Sequence, residues 1–256
     1  MLYELYSGIF AISDIPAVYI ERLGVLAIAD VHLGFEEYMA EKGVYLPRMQ
    51  LKKVLEYIER SLSIVRANTL IIIGDVKHLF DRLGRRESRD LGEFFTYVTK
   101  RFSKTILVRG NHDTFVYSIS KRYGVEIHER LEMENIVILH GHRDDLSDLK
   151  EKDVELFIMA HEHPSISLKD PTTGYSTKFP CFLLTPLKEG GKVLVLPAAG
   201  LYQSGTPVTT SPEGYLSPIL RRRALLVDAK PYAIVEKDGV YELPRLLDIE
   251  DLLSIF

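Results

Sequence analysis

Thr105-Ile106-Leu107-Val108-Arg109-Gly110-Asn111-His112-Asp113 is an apolar run that stops at an amide, an imidazole and a carboxylate in consecutive positions. The run reads as a buried strand. Its last four residues also read as an ordinary turn, because Gly, Asn and Asp tolerate left-handed backbone angles. Taken alone, the stretch leaves both readings open. Four other apolar runs end in the same way: residues 25–29 lead to Asp30-Val31-His32, 70–73 to Gly74-Asp75, 136–139 to His140-Gly141-His142, and 156–160 to His161-Glu162-His163. Each piece has a plain reading as a helix cap or polar loop. Their coincidence at five strand ends decides for one shared site, since sites in open α/β sheets form beyond the carboxyl ends of the strands.

Between these runs the spacing predicts helices. One covers 36–42 and is closed by Gly43; another follows Pro47 to about residue 66, with Leu51, Val54, Leu55, Ile58 and Leu62 on one face. A polar loop over 81–89 leads to a helix ending near Phe102, and 117–123 is helical up to Gly124. After residue 165 short strands follow, at 182–184, 193–196, 224–227 and 232–235, separated by Gly and Pro. Alternating strands and helices followed by a strand-rich part predict an α/β fold of two packed sheets with helices outside. We read residues 1–256 as one domain.

Composition excludes several classes. Hydrophobic residues at 46% and charged residues at 27% are ordinary for a soluble globular chain. A net charge of -4 gives no global attraction to nucleic acid. Cys181 is the only cysteine, so no intrachain disulfide forms, which fits a reducing compartment. The first ten residues, MLYELYSGIF, lack a basic segment before an apolar core, so no signal peptide is expected. No apolar run approaches the ~20 residues that span a bilayer. The expectation is a cytoplasmic protein without a membrane partner.

The recurring donors are nitrogen and oxygen, suited to Mn, Fe, Co, Ni or Zn. The Cys clusters of structural zinc sites are missing. Two carboxylates, two imidazoles and an amide already fill one ion, and the further His140 and His163 argue for two. Lys77, His78, Arg109, His142 and Arg143 lie within a few residues of these donors, and Lys77, His78 and Arg143 are the candidate phosphate contacts. Arg109 can equally pair with a nearby carboxylate. His142 competes with His140 as a ligand; His140 is favoured because it follows its strand directly. Arg82, Arg85, Arg86 and Arg89 form one basic cluster and Arg221-Arg222-Arg223 another. Such runs are usually solvated faces, but the first follows the Asp75 motif and could border a cleft for a polyanion. Tyr45, Phe80, Tyr202 and Tyr215 could stack on bases if exposed.

The ordered set DxH, GD, GNHD, strand-terminal His and HxH over residues 25–163 resembles the calcineurin-like metallophosphoesterase superfamily. GDVKH at 74–78, AHEHP at 160–164, KFPCF at 178–182 and LPAAG at 196–200 resemble its archaeal SbcD-related members and its bacterial DNA-ligase-associated members of the PdeM type. Ala160 stands where the superfamily usually has Gly, and it replaces no ligand. The resemblance implies two mixed β-sheets between helices and two divalent ions, manganese first among them. It implies that Asp30, His32 and His163 hold one ion, Asn111, His140 and His161 the other, and that Asp75 bridges both. It also implies that His112 stays free of metal beside the scissile phosphate, with Asp113 orienting it. A metal-bridging hydroxide would then attack a phosphodiester in line, on nucleic acid or nucleotides in a DNA-repair setting. Two rival readings are a small-molecule phosphodiesterase or phosphatase, favoured by the absence of a large domain to grip a duplex, and a non-catalytic scaffold, disfavoured by the intact donor set. The oligomeric state is open, a homodimer included.

Overall fold

Side chains along a strand alternate between faces, and the apolar runs here are buried on both. The computed structural model describes residues 1–146, 154–170 and 172–253. β1 (Leu2–Tyr6), β2 (Ile9–Ile12), β3 (Ile15–Ile20) and β4 (Val25–Ala29) form an antiparallel meander. β5 (Thr69–Ile73), β6 (Lys104–Val108) and β7 (Glu126–His128) continue the same sheet parallel to β4. The crossovers carry α1 (Phe35–Glu41), α2 (Gln50–Ile64), α3 (Arg85–Arg101) and α4 (Tyr117–Arg122).

The second sheet holds β8 (Arg130–Met133), β9 (Ile136–Leu139), β10 (Leu156–Met159), β11 (Pro164–Lys169), β12 (Ser176–Pro186), β13 (Lys192–Val195), β14 (Thr206–Pro207), β15 (Lys230–Val235) and β16 (Gly239–Glu242). β9, β10 and β13 are parallel; β8, β12, β15 and β16 pair antiparallel. Among the described residues the two mixed sheets have 7 and 9 strands, as the α/β reading expected.

Between the sheets, Ala27, Ala29, Ile71, Ile73, Ile106 and Val108 meet Ile138, Ile158, Ala160, Phe182 and Leu194. The opposite faces of the same strands of the first sheet, at Leu26, Ile28, Leu70, Ile72 and Leu107, are covered by Val54 and Ile58 of α2 and Phe94, Phe95 and Val98 of α3. Each such fully buried side chain contributes about 1.5–3 kcal/mol, more than the small differences in helix propensity along α3, so docking fixes the helix. The outer face of the second sheet packs on Leu246 and on Ile219 and Leu220 of α5 (Pro218–Arg223).

Three expectations are corrected. α3 begins at Arg85, inside the expected 81–89 loop, because Glu87 Oε2 accepts the Gly84 N–H at 3.1 Å and caps the first turn. The expected strand over 224–227 is absent: one bridge joins Leu187 to Ala224, and Leu226–Asp228 is a 3₁₀ turn. It follows α5, which starts at Pro218 with the Ser217 hydroxyl accepting the Ile219 N–H at 3.3 Å. A four-residue apolar run does not distinguish a buried strand from a buried turn. α2 starts at Gln50 rather than at Pro47, where Glu36 Oε1 accepts the N–H groups of Met49 and Gln50 at 3.1 and 2.9 Å. No helix among the described residues is long and apolar enough to cross a membrane.

Candidate metal centre

β4, β5, β6, β9 and β10 end side by side, so the five motifs meet at one edge of the two-sheet core. Asp30, His32 and His163 bring one donor atom each within 4.8 Å of one another, and Asp75, His140 and His161 do the same. The two groups abut: His140 Nε2 lies 3.0 Å from Asp30 Oδ1 and 3.5 Å from Asp75 Oδ2. His163 Nε2 is 3.2 Å from Asp30 Oδ2, whose other neighbour is the donating N–H of His161 at 2.9 Å. His142 stands behind His140, Nδ1 to Nδ1 at 3.0 Å, so His140 is the imidazole that faces the carboxylates.

The backbone is bent into place at a conformational cost. Nine residues other than glycine among those described have positive φ, and Asp30 (50°), His32 (50°), Asp75 (45°), His161 (69°) and His163 (47°) are five of them. Left-handed geometry at non-glycine residues persists only where the surroundings enforce it. Two glycines are required by close approach. A Cβ on Gly74 would stand 2.0 Å from the His140 ring, and one on Gly110 would stand 2.1 Å from Asp75 Oδ1.

Electrostatics follows from burial. Burial raises the Asp30 carboxyl, but His163 and His140 outweigh it and hold it well below the usual carboxylate range. Burial, aided by the charge of Asp30, raises Asp75. Burial and the neighbouring His163 push His32 well down, and burial and His140 push His161 down to about 3. For His140 and His163 burial acts downward, and the carboxylates outweigh it and raise both. His32 and His161 therefore offer lone pairs rather than protons, as metal binding needs. The donor chemistry fits divalent cations in two further respects. His32 Nε2 and His163 Nε2 face each other at 3.3 Å, and the buried Asn111 Oδ1 has no hydrogen-bond partner.

His112 belongs to neither group with carboxylates. It sits with His32 and His78 in a third cluster of imidazoles. Its N–H donates to Asp75 Oδ1 at 2.8 Å, and its Nδ1 lies 2.6 Å from the carbonyl of His78. A carbonyl only accepts, so Nδ1 carries the proton and Nε2 is the free atom. Asp113 does not orient this ring, contrary to the expectation. Its carboxylate accepts the N–H of Val76 at 2.9 Å and of Gly110 at 2.8 Å, and so pins the two ligand loops together.

Lys77 as a phosphate contact is also corrected. It is 0% exposed, its ammonium donates to the carbonyls of Leu79 and Arg82, and Glu87 lies 4.0 Å away. Glu87 in turn accepts the N–H groups of His78 and Leu79 at 2.9 and 2.8 Å, so this buried pair holds the loop that carries His78. His78 is half-buried over His112 and near Phe35 and Tyr38, and burial, then His112, push it down to about 4. Arg143 is exposed, and Arg109 pairs with Glu129 at 3.0 Å. Phe80 and Tyr45 are exposed, Tyr202 stacks on Phe35, and Tyr215 is buried. Arg223 pairs with Asp144 and Glu189.

Two positioning residues escape a reading of the sequence. Glu162, between the two imidazoles of its motif, is fully buried and accepts the N–H of Leu216 at 2.9 Å and of Ser217 at 2.8 Å. The Ser217 hydroxyl donates to the carbonyl of Gly141 at 2.7 Å, so the ends of β9 and β10 are tied through it. Gln50 donates to the carbonyl of Val31 and accepts the Leu201 N–H at 3.0 Å. Neither has a signal in sequence, because the partners of Glu162 lie 54 and 55 residues away and those of Gln50 19 and 151 residues away.

Comparison with known proteins bears on the family and the fold. A family model described as calcineurin-like phosphoesterase matches residues 23–196. No curated protein matches the chain. Among solved structures, the Pseudomonas putida nuclease MPE is similar in fold at a TM-score of 0.64 and 19% identity, over 95% of this chain and 99% of that one. A protein of unknown function from Aquifex aeolicus matches at 0.35 and 20% identity, over 54% of this chain and 77% of its own. A predicted phosphoesterase from Streptococcus pneumoniae matches at 0.31 and 15%, over 86% and 88%.

Proposed function

The chain belongs to the calcineurin-like phosphoesterase family, which makes it a metal-dependent phosphoesterase, and from that premise we propose that it cleaves phosphodiester bonds of nucleic acid or nucleotides at a two-cation centre. The observation that carries the reading is the pair of abutting donor groups with His112 beside them. Asp30, His32 and His163 would hold one cation, Asn111, His140 and His161 the other, and Asp75 would serve both. Manganese suits this mixture of imidazole, carboxylate and amide donors. When bound, such a pair of ions supplies positive charge to the attacking and leaving oxygens of an in-line displacement. His112 presents Nε2 to the leaving oxygen while the His78 carbonyl holds its Nδ1 proton. For this step His112 is protonated on both ring nitrogens: it gives the Nε2 proton to that oxygen and keeps the Nδ1 proton, which is general-acid catalysis. His78 and Arg143 contact the non-bridging phosphate oxygens. The nucleic-acid reading draws support from the nuclease of similar fold and from Arg85, Arg86 and Arg89, which are exposed on the first turns of α3. A cytoplasmic role in DNA repair, in a single-domain chain, completes the proposal.

The test is hydrolysis with Mn(II), with and without EDTA. Bis-p-nitrophenyl phosphate and labelled single-stranded DNA are expected to be cleaved, p-nitrophenyl phosphate far more slowly, and EDTA is expected to stop all three. Preference for the monoester would establish a phosphatase instead, and inertness on every ester would establish a scaffold. Joint replacement of Arg85, Arg86 and Arg89 by Ala is expected to lower the ratio of DNA cleavage to chromogenic-diester cleavage. It should also flatten the dependence of log affinity on log salt by about 0.7 per lost strand contact. An unchanged ratio and slope would return these arginines to a solvated face.

A further inference from the structure

Leu79-Phe80-Asp81-Arg82 leads from the Asp75 motif toward α3, and nothing proposed for the cations uses it. The loop is held by its backbone. The buried Lys77 ammonium donates to the carbonyls of Leu79 and Arg82, on either side of Phe80. Glu87 accepts the N–H of Leu79 at 2.8 Å. The carbonyl of Phe80 itself accepts the Thr114 hydroxyl, which ties this loop to the one that carries His112.

So held, the loop keeps an aromatic side chain in solvent: Phe80 is 55% exposed. Burial of such a ring is among the larger apolar contributions to a fold, and much of it is forgone here. A lone exposed ring is ordinary on a protein surface, but this one lies against the proposed acid. Its centroid stands 5.6 Å from that of the His112 ring, at an interplanar angle of 88°. Contact on one side and solvent on the other leave part of the ring open beside the imidazole. The loop's edge is not cationic, because Asp81 and Glu41 share the Arg82 guanidinium. The contact on offer is therefore to a flat neutral group rather than to a phosphate.

We propose that Phe80 is a base-stacking platform on the leaving side of the substrate. The base of the nucleotide whose oxygen takes the proton from His112 lies on the exposed part of the Phe80 ring. Adjacency gives the side: a ring against His112 stands next to the oxygen that His112 serves. Every base has a π-face, so the contact tolerates any sequence. The inference rests on the diesterase reading and adds a contact that distinguishes a nucleotide leaving group from a plain alcohol.

The test uses two single strands of DNA, one of thymidines throughout and one with a single abasic residue at its centre. Product lengths give the linkage that was cut, and the end that keeps the phosphate gives the residue that left. Wild type with Mn(II) is expected to cut the linkage whose leaving residue is abasic about tenfold more slowly than the same linkage in the full strand, the scale of one stacked base. Phe80→Ala is expected to cut both at close to the slower rate, and Phe80→Trp to restore the difference. The chain has no tryptophan, so Phe80→Trp also reports binding. Decathymidylate with Mg(II) is expected to quench its fluorescence. It should leave unchanged that of Tyr175→Trp, at an exposed position between β11 and β12. A wild-type ratio near one, a difference that survives in Phe80→Ala, or an unquenched Phe80→Trp would overturn the platform. So would an equal loss on both strands in Phe80→Ala, which would make the ring packing for His112 alone. If no DNA is cleaved by wild type, the nucleic-acid diesterase reading fails instead, and the fluorescence still decides the platform.

Discussion

Asp75→Ala is expected to be purified with less metal than wild type and to lose at least about 10³-fold in turnover. The loss follows from what one carboxylate does. Its Oδ2 faces His140 at 3.5 Å and its Oδ1 accepts the N–H of His112 at 2.8 Å, so its removal empties a donor position and frees the His112 loop. Cation stabilisation of transition-state charge is worth several kcal/mol, and each 1.36 kcal/mol is tenfold in rate. Stability gives a second readout. A ligand that binds only the folded chain stabilises it by about 2.7 kcal/mol at a hundred times its Kd. Added Mn(II) should therefore raise the wild-type Tm by several degrees and the Asp75→Ala Tm by much less. Elemental analysis and thermal melts on the same preparations check both. Equal metal content and equal Tm response in the two proteins would remove Asp75 from the ligand set.

His112→Ala is expected to behave differently: full metal content, an unchanged fold and a turnover loss of about 10²–10⁴-fold, the usual contribution of a positioned acid. The loss should be smallest on p-nitrophenyl esters, whose leaving group needs little protonation, and largest on DNA, whose alkoxide leaves poorly. Only the ring is removed, and the main-chain N–H that donates to Asp75 remains. Asp113→Asn should not reproduce this pattern. Its carboxylate accepts two backbone N–H groups, of Val76 and Gly110, and an amide has one oxygen for them. Its loss should appear in metal affinity, equally for all leaving groups. A His112→Ala protein purified lacking an ion would make the residue a ligand, and a loss independent of leaving group would make its role electrostatic.

Much of this centre is legible in the sequence because its parts are local. A buried strand announces itself by an apolar run, and a donor group placed directly after it stands at the sheet edge, as Asp30 and His140 do. Roles that depend on distant partners are not legible. Lys77 and Glu87 look like exposed charges in sequence and form one buried cluster. Asp113 is adjacent to His112 in the chain, yet its oxygens turn to the backbone of Gly110 and Val76, and the His78 carbonyl takes the orienting role. Arg85 and Arg86 read as loop because their composition is polar; the Glu87 cap that makes them helical is a side-chain contact. Residues 224–227 carry a strand's hydrophobicity without a neighbour in register, and hydrophobicity alone does not supply one.

The left-handed backbone at Asp30, His32, Asp75, His161 and His163 also bears on how the protein would change under selection. Each such residue costs on the order of 1–3 kcal/mol against a relaxed conformation, and glycine would carry the same angles without strain. Grown without divalent cations, a laboratory lineage rewarded for heat resistance alone would be drawn to these five positions, each change at the expense of the proposed cation site. A lineage rewarded for turnover would have to keep all five and compensate elsewhere in the sheets. Durability and activity are in conflict at the same peptide units, so a screen for one of them should report on the other.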